Sequence, residues 1–459
     1  MPGGRPGEVE RARALAGKLT ASGVRGVVLS YVDTAGITRI KTVPVARLAR
    51  ASAWGVGMSP VFDTFLADDS IVATDVLGGP DGDLRLYPDL ERLVRLSAAP
   101  AWALAPVDRV TQEGERHPAC TRTLLRRLQS RAAERGVEFR ASIEIEWAIG
   151  RDDVPPGEFV PACLGPAYGM TRLAELSDFA TDLMVALARE GVEVEQLHPE
   201  YAAGQFELSV SALDPVAAAD RSVLARQTIR GVAQRNGLRV SFAPSVMAGT
   251  VGNGGHVHIS AWRSGTNLHA GGEGRYGLTP EGEAFVAGML EALPALAAIT
   301  TPSPSSYLRL QPSHWAGVYA CWGRETRETA IRLVTGMVGD QPGAANVEVK
   351  CADLAANPYL LLAALLATGM DGIERGLALP EEMTGDPARF DSDELAARGV
   401  RRLPQSLAEA VEEFAGSTVL RDAFGPVLAD AVIAVRRGEV ARMANADPDT
   451  VAQAYRWVY

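Results

Sequence analysis

Two closely spaced carboxylates are the first side chains in the sequence with clear chemical potential. Glu144 and Glu146 lie two residues apart in the mostly apolar segment 141–147. Alternate residues of a β-strand project to the same face, so this spacing places both carboxylates side by side. Two buried like charges are costly without a cation beside them. The segment therefore predicts a cation site, and a solvated strand face is the alternative.

Further along the chain, two motifs add carboxylates and imidazoles. A glycine turn separates Glu200 from Glu207, and such a turn brings the residues that flank it together. His256 and His258 alternate after a glycine-rich loop that begins at Gly252. A His-x-His pair on one strand face is a common metal arrangement, although a hydrogen-bonded pair in the core is the alternative.

A fourth cluster is cationic and lies among apolar strand residues of a chain with net charge −11. The planar fork of an arginine suits carboxylates and phosphates. The cluster therefore indicates an anionic ligand, with surface pairing to Glu325 and Glu328 as the alternative. Its members are Arg309, Arg327, Arg332 and Lys350.

These donors together favour a hard divalent cation. Ligands rich in carboxylate oxygen, with few imidazoles and no thiolate, are typical of Mg²⁺ or Mn²⁺ rather than zinc or copper. Divalent cations facing arginines indicate phosphoryl transfer from a nucleotide. No P-loop or kinase motif is present, so the nucleotide would bind in a fold of another kind. The four cysteines form no CxxC pair and are expected to be reduced structural thiols.

Composition narrows the class of protein that carries these residues. The chain has 459 residues, of which 47% are hydrophobic and 22% charged, values typical of a globular protein with a sizeable core. A pI near 5.2 argues against binding to nucleic acid. Glu8 and Glu10 interrupt any apolar export signal, and the longest apolar run, 360–370, is too short to span a bilayer. We therefore expect a cytoplasmic protein with no membrane partner.

The elements that position these residues form two predicted domains. Apolar alternation around a turn at 33–36 predicts a β-hairpin in a β-rich domain over residues 1–110. Residues 111–459 alternate helices with short strands and end in a mostly helical region. Helices are predicted at 8–22, 120–135, 171–190, 220–236, 358–376, 404–415 and 426–443. Strands are predicted at 137–150, 194–198, 205–211, 239–242, 256–262, 317–322, 329–333 and 346–351.

The order and spacing of these motifs resemble the glutamine synthetase family over nearly the whole chain. The resemblance implies an α+β fold, with a small N-terminal β-grasp domain and a large catalytic domain whose curved antiparallel sheet is flanked by helices. It also implies a homo-oligomeric ring, a dodecamer by family resemblance. The matching elements are the paired Glu144 and Glu146, the Glu200 to Glu207 element, the His256-x-His258-x-Ser260 strand, the segment with Arg309, the Arg327 to Arg332 segment, and Glu348 with Lys350 before 357–360.

The resemblance also implies site roles. It expects two Mg²⁺ or Mn²⁺ ions per site, with ATP as co-substrate and a small acid and an amine as the other substrates. The first metal set would be Glu146, Glu200 and Glu207, and the second Glu144, His256 and Glu348. The resemblance places Arg327 and Arg332 at the ATP phosphates and His258, Ser260 and Asn346 at the nucleotide. It places Arg309, Lys350 and Gly252 at the acid substrate. Asp63 lies near the position of the family's ammonium-site aspartate.

Trp315 departs from the family pattern. It stands where the family's flap glutamate would accept a proton from ammonium, and an indole cannot act as that base, although its face can enclose a larger amine. Lys350 and Asn346 each replace an arginine, and Val251 replaces a substrate-binding asparagine. This combination resembles a divergent branch that includes γ-glutamyl-amine ligases and synthetase-like domains fused to amidohydrolases.

The preferred hypothesis is an ATP-dependent ligase. The γ-carboxylate of the acid would attack ATP to give an acyl phosphate, and an amine other than ammonia would then displace the phosphate to give a γ-glutamyl amide. One alternative is ordinary glutamine synthesis from ammonia. The other, from a different class, is a catalytically silent regulatory or scaffold homologue.

Overall fold

A six-stranded sheet organises the N-terminal part of the computed structural model, which describes residues 7–459. Its central strands β1 and β6 run parallel, whereas β2 pairs antiparallel with β1 to form the predicted hairpin. The strand order is β2-β1-β6-β4-β3, and β5 pairs with β6. The elements are α1 (Glu8–Ala21), β1 (Gly26–Val32), β2 (Thr38–Pro44), α2 (Leu48–Trp54), β3 (Val56–Met58), β4 (Leu84–Pro88), β5 (Val94–Arg95) and β6 (Trp102–Val110).

The rest of the chain builds two sheets surrounded by helices. A four-stranded sheet has the order β11-β8-β10-β9, and a six-stranded sheet has the order β13-β12-β16-β15-β14 with β7 paired to β12. The strands are β7 (Glu138–Ile143), β8 (Ile145–Arg151), β9 (Val194–Pro199), β10 (Gln205–Val210), β11 (Leu238–Ser241), β12 (Val257–Arg263), β13 (Thr266–Asn267), β14 (Tyr319–Arg324), β15 (Thr329–Val334) and β16 (Asn346–Val349).

Helices cover these sheets and form the C-terminal region. All pairings in the two sheets are antiparallel except β14 with β15, which is parallel. The helices are α3 (Thr121–Glu134), α4 (Met170–Glu175), α5 (Ser177–Arg189), α6 (Pro215–Arg235), α7 (Pro280–Thr300), α8 (Ser306–Arg309), α9 (Gln341–Ala344), α10 (Pro358–Arg375), α11 (Ser392–Ala397), α12 (Leu407–Gly416), α13 (Thr418–Phe424), α14 (Pro426–Met443) and α15 (Pro448–Tyr455).

Helix α7 packs against α10 at the centre of the helical layer. A side-chain carbon at Gly372 would lie 2.1 Å from the carbonyl oxygen of Ala284, so the two backbones approach too closely for any larger residue. Among the described residues, α7 is the one helix whose length and apolarity suit a membrane span, and 83% of that window is buried within the fold. We therefore interpret α7 as a core helix.

The predicted α+β fold is confirmed, but three boundaries differ from the prediction. The strand predicted at 137–150 breaks at Glu144, so β7 and β8 belong to different sheets. The helix predicted at 171–190 is interrupted at Leu176. The helix predicted at 220–236 begins earlier, because Pro215 occupies its first turn and Asp214 accepts a hydrogen bond from Ala217 as N-cap. All four cysteines are free and buried, as expected.

Candidate active site

Two rows of cross-strand neighbours bring together residues that are far apart in sequence. In the four-stranded sheet, Glu146 on β8 lies opposite Glu207 on β10, and Glu207 lies opposite His198 on β9. Directly opposed residues on one face are close enough for their side chains to interact. The His198 Nε2 lies 3.5 Å from a carboxylate oxygen of Glu207 and its Nδ1 3.9 Å from one of Glu200.

The second row crosses the six-stranded sheet. His258 on β12 lies opposite Glu348 on β16, and Glu348 lies opposite Arg332 on β15. Within this row, Arg332 Nη1 donates a hydrogen bond of 3.0 Å to Glu348. Lys350 Nζ donates another, of 2.9 Å, to the same carboxylate. Strand register therefore creates an ionic cluster in which one acid faces two cations.

Glu144 joins the two rows because it lies at the break between β7 and β8. Its main-chain N–H donates to the His256 carbonyl at 2.9 Å, and its carboxylate oxygens lie 3.0 Å from His256 Nδ1 and 3.0 Å from His258 Nε2. His256 Nδ1 is also 3.7 Å from Glu146 and 3.5 Å from Glu348. Although the two glutamates are not on one continuous strand, their carboxylates converge on the same imidazole.

The acidic side of the site carries excess negative charge. Burial and the neighbouring Glu207 carboxylate raise the pKa of Glu146 to about 8. Burial likewise raises the pKa of Glu207, and Glu144 and Glu200 add to the shift. Carboxylates that share a buried site repel each other and hold protons unless a cation replaces them.

The opposite side of the site is balanced by cations. Burial disfavours the ionised form of Glu348, but Lys350 and the histidines outweigh it and lower its pKa to about 2. Burial also disfavours charge on His258, yet the Glu144 carboxylate raises the His258 pKa to about 9. Burial and Lys350 lower the pKa of His256 to about 4, so that this imidazole is neutral and has the form that binds metals.

Arg309 offers an unused donor at the centre of the site. Its Nη2 contacts His256 Nε2 at 3.0 Å and donates to the Lys350 carbonyl at 3.2 Å. Its Nη1 is buried without a hydrogen-bond partner among residues 7–459. Such an orphaned donor costs free energy unless a ligand accepts its hydrogen bond, so Arg309 is suited to bind an anionic group.

Glycines keep the space between these groups open. A side-chain carbon at Gly254 would lie 2.6 Å from His256 Nε2 and 2.7 Å from Glu146 Oε1. A side-chain carbon at Gly252 would lie 2.9 Å from Cβ of Arg309. The loop before β12 therefore leaves room where the acid and the imidazole face each other. The Gly254 N–H also donates to Glu146 at 2.7 Å, which fixes that carboxylate.

The residues predicted to contact nucleotide lie along β12, β15 and β16. Ser260 is buried, and its hydroxyl accepts a hydrogen bond of 2.8 Å from the Trp262 indole. Asn346 contacts His258 Nδ1 at 2.8 Å. Arg327 is exposed at the end of the cluster, whereas Arg332 is bonded to Glu325 and Glu348 and keeps a buried Nε without a partner among residues 7–459.

Asp63, predicted near the family's ammonium-site aspartate, is paired with residues outside the predicted site. It is fully buried within its own N-terminal domain, where it accepts from Arg109 at 2.6 Å and contacts His117 at 2.7 Å. Both carboxylate oxygens are satisfied by these partners. Because no part of this carboxylate reaches the surface, we interpret Asp63 as a member of a structural ion pair.

Trp315 lies beside the acidic cluster, on the segment between α8 and β14. Its side chain is 49% exposed and packs edge-on against Tyr201, with ring centroids 6.3 Å apart. Its main-chain N–H donates to Glu328 at 3.0 Å. Trp315 therefore lies next to the loop that carries Glu200, and its role on the substrate side stays a prediction.

Sequence reasoning missed several contributors. His198 completes one row, and its spacing two residues before Glu200 was a signal that could have revealed it. Tyr168 donates to Glu200 from a loop that carries no recognisable pattern. Gln205 Nε2 donates to Glu146 at 3.1 Å and to the Gly252 carbonyl at 2.9 Å, thereby linking the acid to the glycine loop.

The donor set fits divalent cations. One carboxylate or imidazole atom from each of His198, Glu200 and Glu207 lies within 4.8 Å of the others, and the same holds for Glu144, His258 and Glu348. Clustered carboxylate oxygens are the ligands that hard cations favour, and a bound cation would relieve the repulsion between the carboxylates. Both imidazoles lie 3.0 Å from a Glu144 oxygen, and His256 Nδ1 is also 3.5 Å from Glu348, so the predicted role of His256 in the second set stays a prediction.

Comparisons with known proteins agree with this geometry. Residues 118–455 match the family model for the glutamine synthetase catalytic domain, and residues 13–115 match the model for the glutamine synthetase N-terminal domain. A γ-glutamylpolyamine synthetase of Streptomyces coelicolor is 67% identical over 460 residues, which span 100% of this chain and 99% of the relative. A glutamine synthetase of Methanocaldococcus jannaschii is 29% identical over 423 residues, which span 91% of each chain.

Solved structures give the same result. A structure described as a novel glutamine synthase homolog has a TM-score of 0.84 at 34% identity and covers 95% of this chain and 99% of its own. A complex of GmaS with ADP has a TM-score of 0.83 at 27% identity and covers 94% of this chain and 97% of its own.

The chain belongs to the glutamine synthetase family. It is an ATP-dependent ligase that joins an acid to an amine, and the predicted γ-glutamyl-amide chemistry is confirmed at the level of this class. Use of ATP, of a divalent cation and of small-molecule substrates follows from the family.

Proposed function

We propose that this enzyme joins the γ-carboxylate of glutamate to a primary amino group of a polyamine. The observation that carries the proposal is the half-exposed Trp315 at the edge of the acidic cluster, where the family resemblance expects an acidic base. An aromatic face at this position packs against the methylene chain of a polyamine and attracts its second, charged nitrogen, whereas ammonia has neither group. The 67% identity to a γ-glutamylpolyamine synthetase supports the same substrate class.

The proposed metal assignment follows the two ionic rows. Glu146, Glu200 and Glu207 would hold one Mg²⁺ or Mn²⁺ ion. Glu144 and Glu348 would hold the second together with His256, whose Nδ1 lies 3.0 Å from Glu144 and 3.5 Å from Glu348. When bound, these cations supply positive charge that neutralises phosphate oxygens.

The remaining residues have proposed roles toward the substrates. The free Nη1 of Arg309 would hold the carboxylate of the acid, with Lys350 and Gly252 on the same side. Arg327 and Arg332 would stabilise the negative charge of the transferring phosphoryl group. His258, Ser260 and Asn346 would line the nucleotide side.

The proposed reaction has two steps. A γ-carboxylate oxygen attacks the terminal phosphorus of ATP, the bond to the bridging oxygen breaks, and ADP leaves. The amine nitrogen then attacks the acyl carbon, phosphate leaves with the former acid oxygen, and the nitrogen loses one proton. Trp315 cannot accept this proton, so we assign it to the carboxylates around Glu200 or to solvent.

Two further properties belong to the proposal rather than to the family assignment. A homo-oligomeric ring is proposed from the family resemblance, with a dodecamer as the expected size. A cytoplasmic location is likewise proposed from the family resemblance.

The test is an amine panel with the full-length protein, glutamate, ATP and Mg²⁺. Phosphate release and product mass are measured with ammonium, butylamine, 1,4-diaminobutane and spermidine. We expect glutamylated products from the two polyamines and a kcat/KM for them at least roughly tenfold above that for ammonium, the factor that about 1.4 kcal/mol of extra binding provides.

Two outcomes would contradict the proposal. Turnover of ammonium equal to or faster than that of the polyamines would identify an ordinary glutamine synthetase. Absence of phosphate release with every amine, combined with no Mg²⁺-dependent binding of ATP, would identify a catalytically silent homologue.

A further inference from the structure

We propose that Tyr201 and Trp315 form a subsite for the distal ammonium group of the polyamine, which makes Tyr201 a specificity-determining residue. The inference rests on the proposed function, because it presupposes a substrate with a second charged nitrogen. It names a residue and a recognition chemistry that the family resemblance does not supply. The two aromatic rings would select substrates by the chemical group at the far end of the chain, several methylene groups away from the reacting amine.

The first observation is an aromatic pair that is left open to solvent. Tyr201 is 54% exposed and Trp315 is 49% exposed, although the ring centroids lie 6.3 Å apart with an interplanar angle of 74°. Large aromatic side chains that are merely structural bury most of their area. An edge-on pair keeps ring faces available, and these faces are the part of an aromatic ring that attracts a cation.

The second observation is that the pair is coupled to the acidic cluster. Tyr201 follows Glu200 directly, and its main-chain N–H donates to the Glu200 carboxylate at 2.8 Å. The Tyr168 hydroxyl donates to the other oxygen of the same carboxylate. The Tyr201 ring therefore extends from the point where the acidic cluster meets solvent, which is where the distal end of a long amine would emerge.

The third observation is that the loop carrying Tyr201 is rigidly held. The buried Arg172 donates from Nη1 to the carbonyls of Glu200 at 2.7 Å and Ala202 at 2.6 Å. Its Nη2 donates to the Gly165 carbonyl at 2.6 Å, on the loop that leads to Tyr168. One guanidinium thus fastens both loops, which reduces the conformational entropy that Tyr201 would lose on binding a ligand.

The fourth observation concerns the backbone and charge around Trp315. Its φ of 55° and that of Ser313, 59°, lie in the left-handed region, which is costly for a bulky residue unless the surroundings hold it. The Glu328 carboxylate holds it by accepting the Trp315 N–H at 3.0 Å. Glu328 therefore places a carboxylate beside the main chain of Trp315.

These features together describe a cation subsite. Two open aromatic rings lie together at the rim of the active site, and the Glu328 carboxylate is bonded to the main chain of Trp315. A protonated amino group gains cation–π attraction from such rings, whereas the methyl end of a monoamine gains burial alone. The subsite therefore favours amines with a second positive charge.

The test compares two amines that differ in their distal group, 1,4-diaminobutane and butylamine. For the Tyr201→Leu variant, we expect the diamine-to-monoamine ratio of kcat/KM to fall roughly tenfold, mainly through KM for the diamine, given a cation–π contribution near the middle of its usual range. Tyr201→Phe is the matched control and should retain the parent ratio, because it keeps the ring. Trp315→Leu should lower the ratio in the same direction.

A binding arm separates this inference from the proposed function. Calorimetry measures diamine affinity for the full-length parent and for Tyr201→Leu in the presence of Mg²⁺ and ADP, and it requires no turnover. Weaker diamine binding in the variant supports the subsite even if the parent does not glutamylate diamines. Three results would overturn the subsite proposal. The first is an unchanged kcat/KM ratio and an unchanged diamine affinity in Tyr201→Leu. The others are an equal loss of kcat/KM for both amines and the absence of diamine binding by the parent.

Discussion

Two buried ionic clusters, one in each domain, differ in how their charges are matched. In the N-terminal domain, Asp63 is surrounded by Arg109 at 2.6 Å and His117 at 2.7 Å. In the catalytic domain, Glu146 and Glu207 lie opposite each other, and burial raises both pKa values, with further increases from Glu207 on Glu146 and from Glu144 and Glu200 on Glu207. The first cluster is complete within the chain, whereas the second lacks positive charge.

This difference separates a structural ion pair from a ligand site. Burial opposes ionisation of Asp63, but Arg109 and His117 outweigh it, and the net effect lowers the pKa of Asp63. Burial of Glu146 meets no comparable compensation. A charge-balanced cluster stabilises the fold, whereas an unbalanced one costs stability and is retained where a ligand completes it.

The largest expected effect is on activity. Glu146→Gln should lower kcat by roughly a thousandfold, the scale of losing one electrostatic contributor in an active site, while the melting temperature stays equal or rises because the repulsion with Glu207 disappears. Phosphate release and thermal unfolding measure the two quantities. Glu138→Gln, an exposed residue on β7, is the control. If Glu146→Gln turned over at the parent rate, the assignment of Glu146 to the active site would be wrong.

The second-largest expected effect is a loss of stability in the N-terminal domain. Asp63→Ala leaves Arg109 buried without its carboxylate, so the free energy of unfolding should fall by about 3–5 kcal/mol. Chemical denaturation of parent and variant measures the change. Arg11→Ala, which breaks an exposed pair with Glu91, is the control and should alter stability by less than about 1 kcal/mol. Equal stability of parent and Asp63→Ala would contradict the structural role.

Metal binding should also distinguish the clusters. Mg²⁺ at about one hundred times its dissociation constant should stabilise the parent by about 2.7 kcal/mol through mass action. Glu146→Gln should lose most of this increment, whereas Asp63→Asn should keep it. Thermal unfolding with and without Mg²⁺ measures this stabilisation in both variants. If Mg²⁺ stabilised the two variants equally, the clusters would not differ in metal binding.

The smallest expected effect is a pH dependence of stability. Because the folded pKa of Asp63 lies below the unfolded value of about 3.9, its contribution is present above that pH and is lost as pH falls through the folded pKa. The difference in unfolding free energy between parent and Asp63→Asn should therefore be greatest near pH 7 and shrink below about pH 4. If the difference in unfolding free energy between parent and Asp63→Asn stayed constant from pH 7 to pH 3, this prediction would be wrong.

Much of the site was accessible from sequence because its ligands lie in short motifs with strict spacing. The alternation of Glu144 with Glu146 and of His256 with His258 was sufficient to indicate a cation site. Tyr168 and Arg172 were not accessible, because they lie in a loop and a short helix that become part of the site through long-range contacts.

The same limit explains the errors. Asp63 was placed by its order along the chain, and sequence order does not reveal that Arg109 and His117 pack onto that carboxylate. The predicted single strand at 137–150 was wrong at Glu144 because both sides of the break have strand periodicity. Local pattern indicates a strand but not which sheet it joins.

The sequence by itself determined the elements, the donor types and the class of chemistry, since periodicity and motif spacing are local properties of the chain. Tertiary structure decided which charges are compensated. Register places Glu207 against Glu146 and Arg332 against Glu348, and burial then sets their pKa values. Pairing across strands and exclusion of water depend on residues far apart along the chain, so no local pattern could have established them.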